Sequence, residues 1–267
     1  MERVAIITGT GIYQIPGVHL QSRVVSTPYG DALVQVGQGE EENLVFLTRH
    51  GPDHRTPPHK INYRANIKAL KMLGVTRILA TNAVGSINPV LPPGSLAVLS
   101  DFIDFTSGRQ STFFDGGSAG LAHTDMHDVY CPALRQALLA QAPAFGLSLV
   151  PEAVYVCTNG PRFETPAEIR MYGRLGADVV GMTGVPEAPL ARELEMHYAA
   201  VAFSINWAAG VAGQAIEIDR QGLEALTPRL LDLFLQVLRL PLSADCPCTR
   251  SVMVMHPPQT GQGGDIL

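Results

Sequence analysis

No stretch of about 18 consecutive apolar residues occurs in this chain, so the pattern that marks a transmembrane helix is missing. The amino terminus also lacks the apolar core of a secretory signal, since Met1 leads into the charged Glu2 and Arg3 before the first apolar run. Together these absences predict a cytoplasmic protein. Positive charge is not in excess either. A net charge of −5 argues against nucleic acid or an anionic membrane as the main partner. Internal repeats are missing too. Cysteine is sparse, with 4 residues among 267. Cys131 and Cys157 lie in apolar surroundings and read as reduced core residues. Cys246-Pro247-Cys248 is too tightly spaced for the two-residue gap of common zinc knuckles. It reads as two thiols on a flexible tail or as a strained local disulfide.

What is present suits one large core: the chain is 46% hydrophobic and only 16% charged. Short apolar runs alternate with helical periods. Val4–Ile7, Leu44–Leu47, Arg77–Ala80, Leu96–Leu99, Ala153–Val156 and Ala199–Phe203 read as buried strands. Ile61, Ala65, Ala69 and Met72 mark one helical face. Thr165-Pro166-Ala167-Glu168 is a capping box with proline at the first helical position. Thr227-Pro228 marks the expected start of the last helix, whose Leu230, Leu231, Phe234, Val237 and Leu238 form an apolar face. The pattern predicts a single α/β domain over residues 1–245, with a mostly parallel or mixed sheet covered on both faces. Residues 246–267 are expected to be a flexible tail, clearest in the Pro/Gly/Gln-rich run from His256.

In such folds ligands bind beyond the carboxyl ends of the strands. Several strands hand off to polar loops there. Thr8-Gly9-Thr10-Gly11 lacks the final glycine of a dinucleotide fingerprint, because Gln14 stands at that place, yet its amides and hydroxyls suit an anion. Arg49-His50-Gly51 is a second anion candidate. An Arg-His-Gly triplet also occurs in phosphatases that use a phosphohistidine, but there it follows the first strand. A metal reading of His50, Asp53, His54 and His59 is weaker than that of a solvated loop, because the spacing is irregular and the segment is rich in proline. Glu164 precedes the capped helix and is either a dipole-compensating charge or a site residue.

Thr158–Glu168 (TNGPRFETPAE) and Gly176–Glu187 (GADVVGMTGVPE) closely resemble the signature of the trimeric purine nucleoside phosphorylase and methylthioadenosine phosphorylase family. Arg49-His50-Gly51, Asn62–Ile67 and Asn82–Ile87 resemble further blocks in the same order, so the likeness runs from about Val4 to Leu240. The resemblance implies a mixed, partly barrel-closed sheet flanked by helices, and a homotrimer with active sites at subunit interfaces. It also implies a purine nucleoside and phosphate as small-molecule partners, with inorganic phosphate as co-substrate and no cofactor or metal in the reaction. By the same resemblance, Thr10, Arg49, His50, the backbone of Ala83, and Thr183 bind phosphate, and Met182 packs on the ribose. Phe163, Glu164 and Asn206 hold the purine, and His123 reaches the sugar from a neighbouring subunit. Asn206, His50 and Arg49 are the expected catalytic residues.

Adenine-specific members differ in carrying Asp at the place of Asn206, a second Asp at that of Ala208, and no Glu beside the Phe. The expected substrates are therefore 6-oxopurine nucleosides, inosine or guanosine. Ile216 or Ile218 would either wall an apolar 5′ group or begin the last packing element, which leaves methylthio nucleosides open. Gly184 departs from the Ser or Thr usual in the family.

Overall fold

The computed structural model describes residues 2–116, 120–213, 215–242 and 245–255. The six apolar runs become strands β1 (Arg3–Thr8), β4 (Leu44–Thr48), β5 (Val75–Ser86), β6 (Leu96–Asp104), β8 (Leu149–Cys157) and β10 (His197–Trp207). Their continuous burial follows from helices on both faces, as expected for parallel strands. Five more strands escape a search for apolar runs: β2 (Leu20–Thr27), β3 (Gly30–Gly37), β7 (Leu121–Thr124), β9 (Val179–Gly181) and β11 (Val252–Met255). Four of them, β2, β3, β7 and β11, have several exposed positions.

Nine strands form one sheet in the order β10-β6-β8-β9-β5-β1-β4-β3-β2, and β10 pairs with β5 as well. That extra pairing closes β10, β6, β8, β9 and β5 into a ring, which is the expected partial barrel. The sheet is mixed. β1 runs parallel to β4 and β5, and β10 parallel to β5, while β10–β6 and β5–β9 are antiparallel.

Alternation along the strands sorts side chains into two layers. Ala5, Ile7, Val45, Leu47, Ala200 and Ala202 face helices α1 (Tyr63–Met72) and α4 (Gly184–Glu193). Val4, Ile6, Leu44, Phe46, Val201 and Phe203 face helices α2 (Pro132–Gln141) and α5 (Arg220–Arg239). Helix α3 (Pro166–Arg174) starts at the expected capping box, with Thr165 and Glu168 bonded reciprocally.

Three local expectations change. Ile61 precedes α1 and Met72 is exposed; the buried residues of the helix are Tyr63, Ala65, Ile67, Ala69 and Leu70. Helix α5 begins at Arg220 rather than at Thr227-Pro228. Asp219 caps it by accepting from the Gly222 amide, and Pro228 lies inside. The tail does not begin at residue 246. Cys246, Cys248 and Ser251 are buried, the Ser251 hydroxyl donates to the Arg192 carbonyl at 3.0 Å, and β11 pairs antiparallel with β7. The run from His256 onward lies outside the described residues. Among those residues, no helix is long and apolar enough to cross a membrane.

Truncation tests this boundary. A chain ending at Asp245 loses the buried Cys246, Cys248 and Ser251 and the β7–β11 ladder, a loss of about 2–3 kcal/mol. It should melt roughly 4–12 °C below a chain ending at Met255. Equal melting temperatures would return residues 246–255 to the tail.

Candidate active site

Strands β1, β4, β5 and β10 run in one direction, and their carboxyl ends meet on one side of the sheet. There they line a cavity of about 400 Å³. Thr10 enters it from the loop after β1, Arg49 and His50 from the end of β4, Ala83 from β5 and Asn206 from β10. Met182 and Thr183 come from the turn after β9, and Phe163 and Glu164 from the segment before α3. Nine of the ten residues expected at the site therefore line one cavity. His123 does not: it is exposed on β7, outside the lining.

The electrostatic centre of the cavity wall is Arg49. Its Nε and Nη2 donate to the two oxygens of Glu187 at 2.6 and 2.7 Å, and Nη1 donates to the Thr81 carbonyl at 2.7 Å. Both members of the pair are buried. Burial alone would lower the pKa of the guanidinium, but the Glu187 carboxylate outweighs it and holds the group charged. The Tyr198 hydroxyl donates to Glu187 at 2.8 Å and fixes the carboxylate. A Cβ on Gly9 would come within 3.3 Å of Arg49 Nη1, so the bare glycine lets the β1 loop close on the guanidinium.

His50 is buried, and its Nδ1 lies 2.7 Å from the Thr56 carbonyl. A carbonyl can only accept, which puts the proton on Nδ1 and leaves Nε2 with a lone pair. Burial, followed by His54 and Arg49, lowers its pKa to about 4. Between the ordinary value near 6.5 and about 4, the folded state binds fewer protons than the unfolded chain, so His50 subtracts stability as the pH falls through that window. An anion placed beside it opposes that loss. His54 bonds Tyr13 through Nδ1 at 3.0 Å, and His50, Asp53, His54 and His59 do not gather as a metal-ligand group among the described residues.

Elsewhere in the cavity lining, Glu164 is buried and its Oε1 accepts from the Thr158 hydroxyl at 2.6 Å. That bond orients the carboxylate and leaves Oε2 as an acceptor. The Asn206 amide donates one hydrogen to the Trp207 carbonyl at 2.8 Å, which leaves a second N–H and Oδ1. A Cβ on Gly85 would sit 3.0 Å from this amide nitrogen and press on it, so the bare glycine gives Asn206 room.

Residues 3–239 match the family model described as the phosphorylase superfamily. The chain belongs to that superfamily. A 6-oxopurine nucleoside phosphorylase of Pyrococcus furiosus is 52% identical over 221 residues, 81% of this chain and 83% of that one. A probable S-methyl-5′-thioinosine phosphorylase of Methanopyrus kandleri is 44% identical over 256 residues, covering 94% and 98%. Among solved structures, the apo methylthioadenosine phosphorylase of Schistosoma mansoni aligns with a TM-score of 0.81 at 33% identity, over 90% of this chain and 93% of that chain.

Three groups that shape the site of this phosphorylase superfamily member are not legible as site residues in its sequence. Glu187 is one. Its only local signal is an acid isolated in the apolar run Val185–Leu190. Arg109 is the second. It donates to the carbonyls of Thr158 at 3.2 Å, Asn159 at 3.1 Å, Met182 at 2.8 Å and also Val185, clamping two loops that line the cavity. Tyr155 is the third. Its hydroxyl accepts from the amides of Thr183 at 3.1 Å and Gly184 at 3.2 Å. A Cβ at Gly184 would lie 2.8 Å from its ring, and one at Gly181 would lie 2.7 Å from its hydroxyl. The departure from Ser or Thr at position 184 therefore has a steric cause, since the Tyr155 ring fills the space a side chain would need.

The buried ion pair yields a test. Glu187→Gln keeps the shape but leaves Arg49 uncompensated, at a cost of about 3–5 kcal/mol. The variant should melt well below wild type, and millimolar phosphate should stabilise it more than it stabilises wild type, because an anion then supplies the missing charge. Equal phosphate-induced shifts in thermal melts would show that Arg49 does not face the anion.

Proposed function

We propose that the protein cleaves 6-oxopurine nucleosides with inorganic phosphate, releasing the free base and ribose 1-phosphate. The observation that carries this reading is the convergence, in one cavity, of an anion end around Arg49 and a base-reading end formed by Glu164 and Asn206. In this reading phosphate is held by Thr10, the remaining Nη hydrogens of Arg49, His50, the backbone of Ala83 and the Thr183 hydroxyl. Because Glu187 already neutralises Arg49, much of the binding comes from fixed dipoles and hydrogen bonds rather than from a free cation. Neutral His50 can accept from a protonated phosphate oxygen through Nε2, or take up a proton once a dianion is beside it.

Breaking the glycosidic bond builds positive charge on the ribose and negative charge on the departing purine. The phosphate faces the first and Met182 packs along the sugar. Asn206 answers the second by donating to N7 or O6, a donor in place before the reaction begins and one that does not titrate. Glu164 Oε2 accepts from N1–H, and Phe163 covers the base. Adenine would set its N1 acceptor against the Glu164 carboxylate, two acceptors face to face, leaving both unpaired. The reaction uses phosphate as co-substrate and these side chains alone.

A second reading of the sugar rests on Ile216 and Ile218, which both line the cavity. They form an apolar wall suited to a 5′-methylthio group, so S-methyl-5′-thioinosine is the alternative substrate. His123, exposed on β7, is assigned to a neighbouring subunit's nucleoside in a homotrimer.

Two measurements test the reading. Release of hypoxanthine from inosine should fall by about 10²-fold or more when phosphate is omitted; hydrolysis at a comparable rate would remove the phosphorolytic assignment. Asn206→Asp should lower kcat/KM for inosine by about 10²–10³. Adding Glu164→Ser to it should raise adenosine cleavage above that of the single variant. An inosine value within about threefold of wild type would show that Asn206 does not read the base.

A further inference from the structure

Away from the cavity, four potential ligands converge from three parts of the chain. Cys131 stands at the amino end of α2, His197 opens β10, and Cys246 and Cys248 flank Pro247 at the start of the 3₁₀ turn Pro247–Arg250. Their ligating atoms all lie within 4.8 Å of one another. Cys131 Sγ is 3.5 Å from Cys246 Sγ and 3.4 Å from His197 Nδ1, and Cys246 Sγ is 3.5 Å from Cys248 Sγ. All three cysteines are buried and none is in a disulfide.

These separations match a tetrahedral zinc site. With Zn–S near 2.3 Å and Zn–N near 2.0–2.1 Å, the edges of the tetrahedron are about 3.7–3.8 Å between sulfurs and about 3.5 Å between sulfur and nitrogen. Those three separations lie within a few tenths of an ångström of the edges, and the widest in the cluster, no more than 4.8 Å, would close by about 1 Å. A disulfide would require the sulfurs to close to about 2.0 Å. Three sulfurs and an imidazole form a donor set that favours zinc over magnesium or calcium, and four protein ligands leave no open position for catalysis. The close spacing of Cys246 and Cys248 in sequence does not exclude such a site, because the other two ligands come from distant elements.

We infer that Cys131, His197, Cys246 and Cys248 form a structural Cys₃His zinc site that pins the carboxyl-terminal segment to α2 and the sheet. Binding replaces the three thiol protons with one Zn²⁺, and the imidazole coordinates through its neutral Nδ1. The clamp extends beyond the four ligands. Ser251 bonds Arg192 and Asp125, and β11 continues into register with β7, with Met253 opposite His123. The metal therefore steadies the strand that carries His123.

Metal analysis of the full-length, untagged protein, purified without chelator under reducing conditions, tests the inference. Inductively coupled plasma mass spectrometry should find about one zinc per chain, falling below about 0.2 in Cys248→Ser. Removing zinc from wild type should lower its melting temperature by roughly 5 °C or more, and returning zinc should restore it. As a readout that does not depend on the variant's folding, the zinc-free wild type is also titrated with Co²⁺. Thiolate-to-cobalt charge-transfer bands with tetrahedral d–d absorption should appear at one equivalent. Wild type without stoichiometric zinc and without these bands would overturn the inference. So would a Cys246–Cys248 disulfide found by mass after alkylation, or full zinc retention in a folded Cys248→Ser variant.

Discussion

The Arg49–Glu187 pair is the constraint on which the site depends. It is a bidentate ion pair sealed from solvent, and each partner is held by a further strand: Arg49 by the Thr81 carbonyl of β5, Glu187 by the Tyr198 hydroxyl of β10. One interaction thus joins the end of β4, the interior of β5, the start of α4 and the start of β10. Buried ion pairs are weak evidence for stability as such, because desolvation offsets much of the attraction. Their geometry, however, is specific. Here the guanidinium cannot rotate without stranding either its carboxylate or its own charge, so this part of the cavity wall is fixed before any ligand arrives.

The rest of the cavity is built by the same logic of close approach. Gly9 lets a loop lie against Arg49, Gly85 leaves room for Asn206, and Gly181 and Gly184 flank the Tyr155 ring. Tyr155 in turn accepts from two amides at the turn that carries Thr183. Arg109 gathers the carbonyls of the two loops bearing Met182 and the Thr158–Glu164 segment. The cavity wall is therefore held by side chains that need not touch substrate, and the groups expected to touch it are left with spare donors and acceptors.

Much of this was legible in the sequence, and the parts that were not share a cause. β1, β4 and β10 announced themselves as continuous apolar runs because they are covered on both faces. β2, with most of its positions exposed, has no such run, and β11 reads as tail until its pairing with β7 is seen. Thr227-Pro228 imitates a helix start, whereas Asp219 caps α5 eight residues before Thr227 and Pro228 is carried inside it. Arg49, His50, Glu164 and Asn206 stood out as polar groups at strand or helix ends. Glu187, Arg109 and the cluster around Cys131 did not. Their meaning depends on partners far away along the chain, as in the 138 residues between Arg49 and Glu187, and local spacing carries no trace of those contacts.

What the proposed reading makes specific to this chain, within a superfamily that handles several nucleosides, is the polarity that Glu164 and Asn206 offer. A carboxylate oriented by Thr158 presents an acceptor and an amide oriented by Trp207 presents an N–H beside its Oδ1, groups that can meet N1–H and O6 or N7 of a 6-oxopurine. The most direct test is kcat/KM of the wild-type protein for inosine and for adenosine at saturating phosphate. The account predicts a preference for inosine of about 10²-fold or more. Equal efficiency, or a preference for adenosine, would contradict it.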